Sequence, residues 1–89
     1  MNYKQVEEAL ETLTPFKHGD SMSAENVSGM YRVYSYRTEI ARFNHVENVW
    51  YVNSSKYSVT TSKQQNIVRR VIANLDHQPY DLMSSYDYA

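Results

Sequence analysis

A helical pattern of apolar residues near the end of the chain constrains the fold most. The apolar side chains recur at spacings of three and four residues: Ile67, Val68, Val71, Ile72 and Leu75. Three residues with hydroxyl groups that favour helix starts precede them: Thr60, Thr61 and Ser62. Glutamine follows both Thr61 and Ser62 at the third position, as a capping box requires. The pattern predicts an amphipathic helix over residues 61–75, which must pack its apolar stripe on another element.

Three runs of β-branched and aromatic residues precede this helix and supply that element. They span residues 30–36, 38–43 and 49–53, and short polar links separate them. Short links favour an antiparallel meander. Alternation along the first run puts Tyr31 and Val33 on one face and basic and aromatic residues on the other. The sequence therefore predicts a three-stranded antiparallel sheet covered by the helix.

The two ends of the chain give weaker signals. Asn2 and Gln5 form a possible capping box before an apolar stripe, which predicts a first helix over residues 3–13. Residues 14–29 combine both glycines with proline and small polar residues, which indicates a long crossover loop. Residues 79–89 (PYDLMSSYDYA) are acidic and rich in tyrosine and lack a periodic pattern, which indicates a short flexible tail. Together these elements predict one α+β domain over residues 1–78.

The charges of the chain are unevenly distributed. Its net charge is −1, but residues 31–72 carry seven basic and two acidic residues, a net charge of +5. Residues 1–30 and residues 73–89 each carry a net charge of −3. We expect Asp81 and Asp87 to fold back on the basic centre and screen it. Such a distribution of charge influences the electrostatic field around the protein and the partners that it attracts, and it does not determine the fold.

Several classes of function find no support in the residues. The chain has no cysteine, which removes disulfides, thiolate catalysis and cysteine metal sites. Its three histidines lack the spacing of metal ligands, and no nucleophile elbow or glycine-rich phosphate loop is present. No apolar run is long enough for a membrane span. We therefore expect a protein of the host cytoplasm that is not an enzyme and has no metal, cofactor or membrane contact.

A basic and aromatic face is the first candidate binding site. Its residues lie on or between the predicted strands: Arg32, Tyr34, Tyr36, Arg37 and Arg42. Single-stranded nucleic acid binds such faces by stacking its bases on aromatic rings while cations contact phosphates. Tyrosine and arginine are also enriched in protein interfaces, so a protein partner fits equally well. An ordinary solvated sheet face is the alternative to both.

The last helix and the turn before it form the second candidate site. Lys56, Lys63, Arg69 and Arg70 give the helix and its lead-in a basic outer surface. Thr60, Thr61 and Ser62 surround the helix N-terminus, where free N–H groups favour an anion. This pattern predicts an anion contact, and plain helix capping with Tyr57 as a core anchor is the alternative.

Two segments of the chain resemble a small domain of unknown function that recurs in short phage and prophage proteins. They are residues 34–43 (YSYRTEIARF) and 50–65 (WYVNSSKYSVTTSKQQ), and the upstream PFKHGDSMSA is similar to the lead-in of those proteins. The chain departs from that pattern at Arg37, where glycine is common, and at Gln64, where histidine is common. The resemblance implies a phage accessory protein with a β-meander followed by a helix, and it brings no catalytic residues.

These observations favour a phage-encoded, non-enzymatic protein that binds and modulates or inhibits a host macromolecule. An anti-defence (anti-CRISPR-like) inhibitor of nucleic-acid machinery fits this description, and its partner would be a host or defence-system protein. The alternative is a small nucleic-acid-binding accessory or regulatory protein that uses the basic and aromatic surface. A minor virion component is a third hypothesis, and the sequence leaves open whether the protein forms a homodimer.

Overall fold

The computed structural model describes residues 1–75 and the backbone of residues 80 and 81. Its elements are α1 (Tyr3–Glu11), β1 (Phe16–His18), β2 (Met22–Val27), β3 (Met30–Ser35), β4 (Thr38–Asn44), β5 (Val49–Val52), α2 (Val59–Asn74) and β6 (Tyr80–Asp81). The strands lie side by side in chain order, and β1 to β5 form an antiparallel meander. The α+β class is thereby confirmed, whereas the predicted number of three strands is wrong.

The first helix begins with the predicted capping box. The Asn2 side chain accepts a hydrogen bond from the Gln5 backbone N–H at 2.9 Å, and the Gln5 side chain accepts one from the Asn2 backbone N–H at 2.9 Å. The helix ends at Glu11 rather than at residue 13. Leu13 has a φ of +54°, which an α-helix does not accommodate.

Residues 14–29 form a β-hairpin and lead into a second turn, so the prediction of a crossover loop is wrong. β1 pairs with β2, and β2 pairs with β3, through tight turns. Gly19 lies in the first turn with a φ of +55°. Ser28 and Gly29 form the second turn, and both have the positive φ that a two-residue type I′ hairpin turn requires. The residues that suggested a loop are therefore hairpin residues.

A β-bulge in β4 decides which side chains face the core. Tyr34 of β3 lies opposite Glu39, and the residue before it lies opposite Ala41, so Ile40 is the extra residue. Strict alternation would place Ile40 on the same face as Arg42. The bulge instead directs Ile40 into the core, where it is 0% exposed, and leaves Arg42 on the other face.

The edge strand β6 pairs with β5 in parallel. Parallel neighbours require a crossover connection, and α2 supplies it. The two residues of β6 belong to residues 79–89, which the sequence indicated as a flexible tail, so this part of the segment joins the sheet. The rest of that segment lies outside the described residues, as does the expected contact of Asp87 with the basic centre.

The second helix begins earlier than predicted. Ser58 caps it by accepting a hydrogen bond from the Thr61 N–H at 3.2 Å, and the helix then spans Val59–Asn74 rather than residues 61–75. Thr60 and Ser62 are consequently residues of the first turn and not caps. The predicted stripe is confirmed, because its four members within the helix are buried: Ile67, Val68, Val71 and Ile72.

One hydrophobic core joins both helices to one face of the sheet. Trp50 and Tyr31 are its largest fully buried side chains, and their rings meet edge to face with centroids 6.1 Å apart. The Tyr31 hydroxyl donates to the Thr14 carbonyl at 2.8 Å, which ties the segment after α1 to β3. The helices thus occupy one side of the sheet, and its other face carries the alternate residues of each strand.

Candidate binding groove beside the second helix

The predicted binding residues do not form one surface. Arg32, Tyr34 and Arg42 lie on the sheet face opposite the helices, because their strand neighbours are buried in the core. Lys63, Arg69 and Arg70 lie on α2, on the other side of the sheet, and Lys56 lies in the exposed link before α2. The two candidate sites predicted from the sequence therefore lie on separate surfaces of the protein.

The sheet face is balanced in charge rather than basic. Glu39 lies between the two arginines: its Oε2 accepts from Arg42 Nε at 2.9 Å and lies 3.8 Å from Arg32 Nε. Glu25 on β2 lies directly opposite Arg32. Burial raises the pKa of Tyr34, and a hydrogen bond with the Arg32 side chain opposes this shift. Two carboxylates thus offset two guanidinium groups, which weakens the case for phosphate binding at this face.

The turn between β3 and β4 carries the remaining two residues of the predicted basic and aromatic face. Tyr36 is 56% exposed and has a φ of +56°, and Arg37 beside it is also exposed. The adjacent Ser35 hydroxyl lies 2.9 Å from the Thr61 hydroxyl in the first turn of α2. This contact places the turn at the same end of the sheet as the start of α2.

The three hydroxyl residues predicted to hold an anion have different environments. Thr61 is buried, and its hydroxyl is engaged by the Ser35 and Ser58 hydroxyls. Thr60 is exposed, whereas Ser62 lies at the wall of a neighbouring groove. These three side chains therefore do not converge on one point at which an anion could bind.

That groove is a concave surface formed by residues of α1, of α2 and of the link before α2. Its volume is about 560 Å³, and it is open to solvent. It runs along α2 and meets the first residue of α1. The residues that line it are Tyr3, Tyr57, Val59, Ser62, Lys63, Asn66, Ile67 and Arg70. Most of them share one side of α2, because positions 59, 63, 66 and 70 recur at helical spacing.

Two apolar side chains are exposed at the end of the groove where α2 begins. Val59 is 88% exposed and Tyr57 is 45% exposed. The Tyr57 hydroxyl accepts a hydrogen bond from the Asn53 side chain at 3.1 Å, which holds the ring beside the helix start. Ile67 is buried further along the groove. Exposed apolar side chains grouped in a concave surface are typical of a contact site.

The cations of the groove are held by contacts with α1. Lys63 Nζ lies 4.9 Å from the centroid of the Tyr3 ring, and that ring packs on His18 with centroids 4.7 Å apart. Arg70 Nε donates to Glu7 Oε1 at 3.1 Å. Glu7 follows Tyr3 by one helical turn and Arg70 follows Lys63 by two, so the two helices run in the same direction.

Sequence reasoning missed Tyr3, Val59 and Asn66 and treated Tyr57 as a core anchor. Val59 follows the N-cap directly and precedes the apolar stripe by two helical turns. Its position on the helix could therefore have been predicted if the cap had been assigned to Ser58. The contribution of Tyr3 depends on how α1 packs on α2, which no local pattern encodes.

The described residues contain no group of three or more His, Cys, Asp or Glu side chains that could hold a metal ion. Within the same part of the chain, no helix has both the length and the apolar character needed to cross a membrane. The arrangement is suited to binding through an apolar surface with two cations.

Comparison with known proteins places the chain in a family. Residues 5–77 match the model of a family of unknown function, DUF8033. The chain belongs to this family. The match includes α1 from its third residue onward, α2, β1 to β5 and every groove residue except Tyr3. No curated protein matches the chain. No solved structure matches it either.

Proposed function

We propose that this protein is a phage-encoded, non-enzymatic binding protein that modulates a host macromolecule through the groove beside α2. The observation that carries the proposal is the exposed pair Tyr57 and Val59 at the end of a preformed groove. Small-molecule and peptide sites are typically concave and mostly apolar, with a few polar groups that fix orientation. Lys63 and Arg70 supply such groups here.

A host or defence-system protein is the partner that this surface fits best. Tyrosine and arginine are the residue types that contribute most to protein interfaces. The groove contains both, and its walls are fixed by contacts within the protein, which limits the ordering that binding requires. A phage gains from such a protein when the partner is nucleic-acid machinery of a defence system.

Nucleic-acid binding is the second candidate, and one observation favours it. Arg37, Lys56 and Lys63 are exposed, and so are Tyr36 beside Arg37 and Tyr57 beside Lys56. Binding through several phosphates weakens steeply as salt rises. Fluorescence anisotropy with labelled single- and double-stranded oligonucleotides at low salt tests this candidate, and binding with a steep salt dependence would favour it over a protein partner.

A capture experiment with two valine variants tests the preferred function. Val59→Asp puts a charge at the groove, and a carboxylate at this first helical position is favourable for helix stability. Val46→Asp is the matched control, because Val46 is 90% exposed in the turn between β4 and β5. We expect a host protein that co-purifies with the wild type and with Val46→Asp but not with Val59→Asp.

Two results would contradict this proposal. One is a lysate capture that returns no protein dependent on Val59, and the other is detection of the protein in purified particles as a virion component. Where a partner is captured, a strain that carries the corresponding defence system provides the functional assay. Expression of the wild type and of Val46→Asp should raise the plating efficiency of a sensitive phage, and Val59→Asp should not.

A further inference from the structure

We infer that the groove beside α2 binds a peptide segment in which an apolar side chain lies between two carboxylates. This inference rests on the proposed function and names the chemistry of the partner. It follows from the positions of the apolar side chains and of the two cations in the groove, and from what each cation already contacts.

The apolar part of the groove selects for an apolar side chain. Ile67 lies between Lys63 and Arg70 along α2, and Tyr57 and Val59 extend the apolar surface toward the helix start. A ligand that covers Val59 and Tyr57 removes their exposed apolar area from water. The free energy gained is proportional to the apolar area buried, so an aliphatic or aromatic side chain gains most at this place.

Lys63 is the first of the two carboxylate sites. Its ammonium is positioned over the Tyr3 ring, and no described residue forms an ion pair with it. The ring contact holds the ammonium at the groove without neutralising its charge. A carboxylate from a ligand supplies the missing counter-ion.

Arg70 is the second carboxylate site. It already binds the Glu7 carboxylate, which shows that a carboxylate fits at this end of the groove. The Arg70 side chain is 62% exposed and retains accessible N–H groups. Seven residues of helix separate Lys63 from Arg70, about 10 Å along the axis. In the polyproline II conformation, which has three residues per turn and rises about 3.1 Å per residue, ligand carboxylates three residues apart lie on one side of the peptide at about this separation.

The same features disfavour a nucleic-acid backbone in this groove. Two cations permit few phosphate contacts, and affinity for nucleic acid depends on the number of such contacts. An acidic and apolar peptide satisfies both the cations and the apolar surface, whereas a phosphate backbone leaves the apolar surface uncovered.

Selection from a displayed library of random 12-residue peptides on the immobilised protein tests the inference. We expect enriched peptides with two acidic residues around an aliphatic or aromatic residue. Synthetic copies of them should bind Val59→Asp and Lys63→Glu at least tenfold more weakly than the wild type, and Val46→Asp with unchanged affinity. Selection on Lys63→Glu should enrich basic residues instead. Circular dichroism verifies that each variant is folded.

Several outcomes would overturn the inference. They are the absence of enriched peptides, enrichment of neutral or basic peptides on the wild type, and equal binding to Val59→Asp and Val46→Asp. A dimer of the wild type that Val59→Asp dissociates and Val46→Asp leaves intact would identify a second copy as the occupant. An oligonucleotide that displaces the peptides at physiological salt would assign the groove to nucleic acid.

These results separate the inference from the proposed function. If a host protein requires Val59 but the selected peptides are not acidic, only the chemistry inferred for the groove fails. If acidic peptides bind at Val59 but no host protein is captured, the proposed function fails and the groove remains a peptide site.

Discussion

The hydroxyl oxygens of Ser35 and Thr61 lie 2.9 Å apart in the interior of the protein. This bond joins the last residue of β3 to the first turn of α2. The Ser58 hydroxyl, which caps α2, donates to the same Thr61 oxygen at 3.2 Å. Three hydroxyl groups thus fix the start of α2 against the end of the sheet, and they thereby fix the end of the groove where Tyr57 and Val59 are exposed.

Removing either partner of this bond should destabilise the protein. Thr61→Val leaves the buried Ser35 hydroxyl unpartnered and should lower the free energy of unfolding by about 1–3 kcal/mol. Ser35→Ala should cost less, because Thr61 keeps its contact with Ser58. Urea denaturation measures both, with the exposed Ser54→Ala as control. The double variant should lose less than the sum of the single losses, and simple additivity would contradict the bond.

The ion pairs of Glu39 lead to a second prediction. Glu39 is 12% exposed and binds Arg42, whose side chain is 7% exposed. Glu39→Gln should lower the free energy of unfolding by about 1.5–3 kcal/mol, because it weakens hydrogen bonds to a charged and largely buried group. Glu25→Gln on β2 is the matched control and should change stability by less than about 1 kcal/mol, since Glu25 is exposed. Equal losses in the two variants would contradict the structural role of Glu39.

The sequence predicted those elements whose signals are local. The Asn2 capping box lies within one helical turn and the apolar stripe of α2 lies within one helix, so both could be predicted directly. The start of α2 was misplaced because Thr60, Thr61 and Ser62 are all competent caps and Ser58 stands just before them. Local preference alone does not decide between neighbouring residues of equal capping ability.

The missed strands and the groove have non-local causes. β1 has only three residues, and β6 has two, so neither shows a period that could be recognised. Both become strands only because a longer neighbour supplies hydrogen bonds. The bulge at Ile40 reverses the alternation of β4, which is why the face of Arg42 could not be assigned from the pattern. The groove depends on packing between helices that are distant in sequence.

Alkaline pH should reveal the burial of Tyr31. Burial raises the pKa of this phenol well above its ordinary value of 10.0, while the unfolded chain titrates near that value. The folded state then holds a proton that the unfolded state loses, so stability is complete below pH of about 10 and falls as pH rises further. Tyr31→Phe should flatten this fall, measured by urea midpoints between about pH 8 and 11. The exposed Tyr36→Phe should leave the slope unchanged.

Tyr31→Phe also distinguishes the contribution of the Tyr31 hydroxyl to stability from that of the ring. The variant loses the bond to the Thr14 carbonyl and should be less stable than the wild type near neutral pH by about 0.5–1.5 kcal/mol. A variant that retains the wild-type slope at high pH would show that Tyr31 does not cause the alkaline instability.

Two neighbouring glutamines of α2 give the sharpest prediction about stability. Gln64 is 0% exposed, and neither its amide nitrogen nor its amide oxygen has a hydrogen-bond partner among the described residues. Gln65 is 3% exposed, but its amide nitrogen donates to the carbonyls of Asn53 at 2.7 Å and Ser55 at 3.0 Å. Gln64→Met keeps the volume and removes an unpaired polar group, so it should raise the free energy of unfolding by about 1–3 kcal/mol. Gln65→Met should lower it by a similar amount, because two bonds to the link before α2 are lost. Thermal or urea denaturation distinguishes the opposite signs, and a loss of stability in Gln64→Met would mean that an ordered water satisfies that amide.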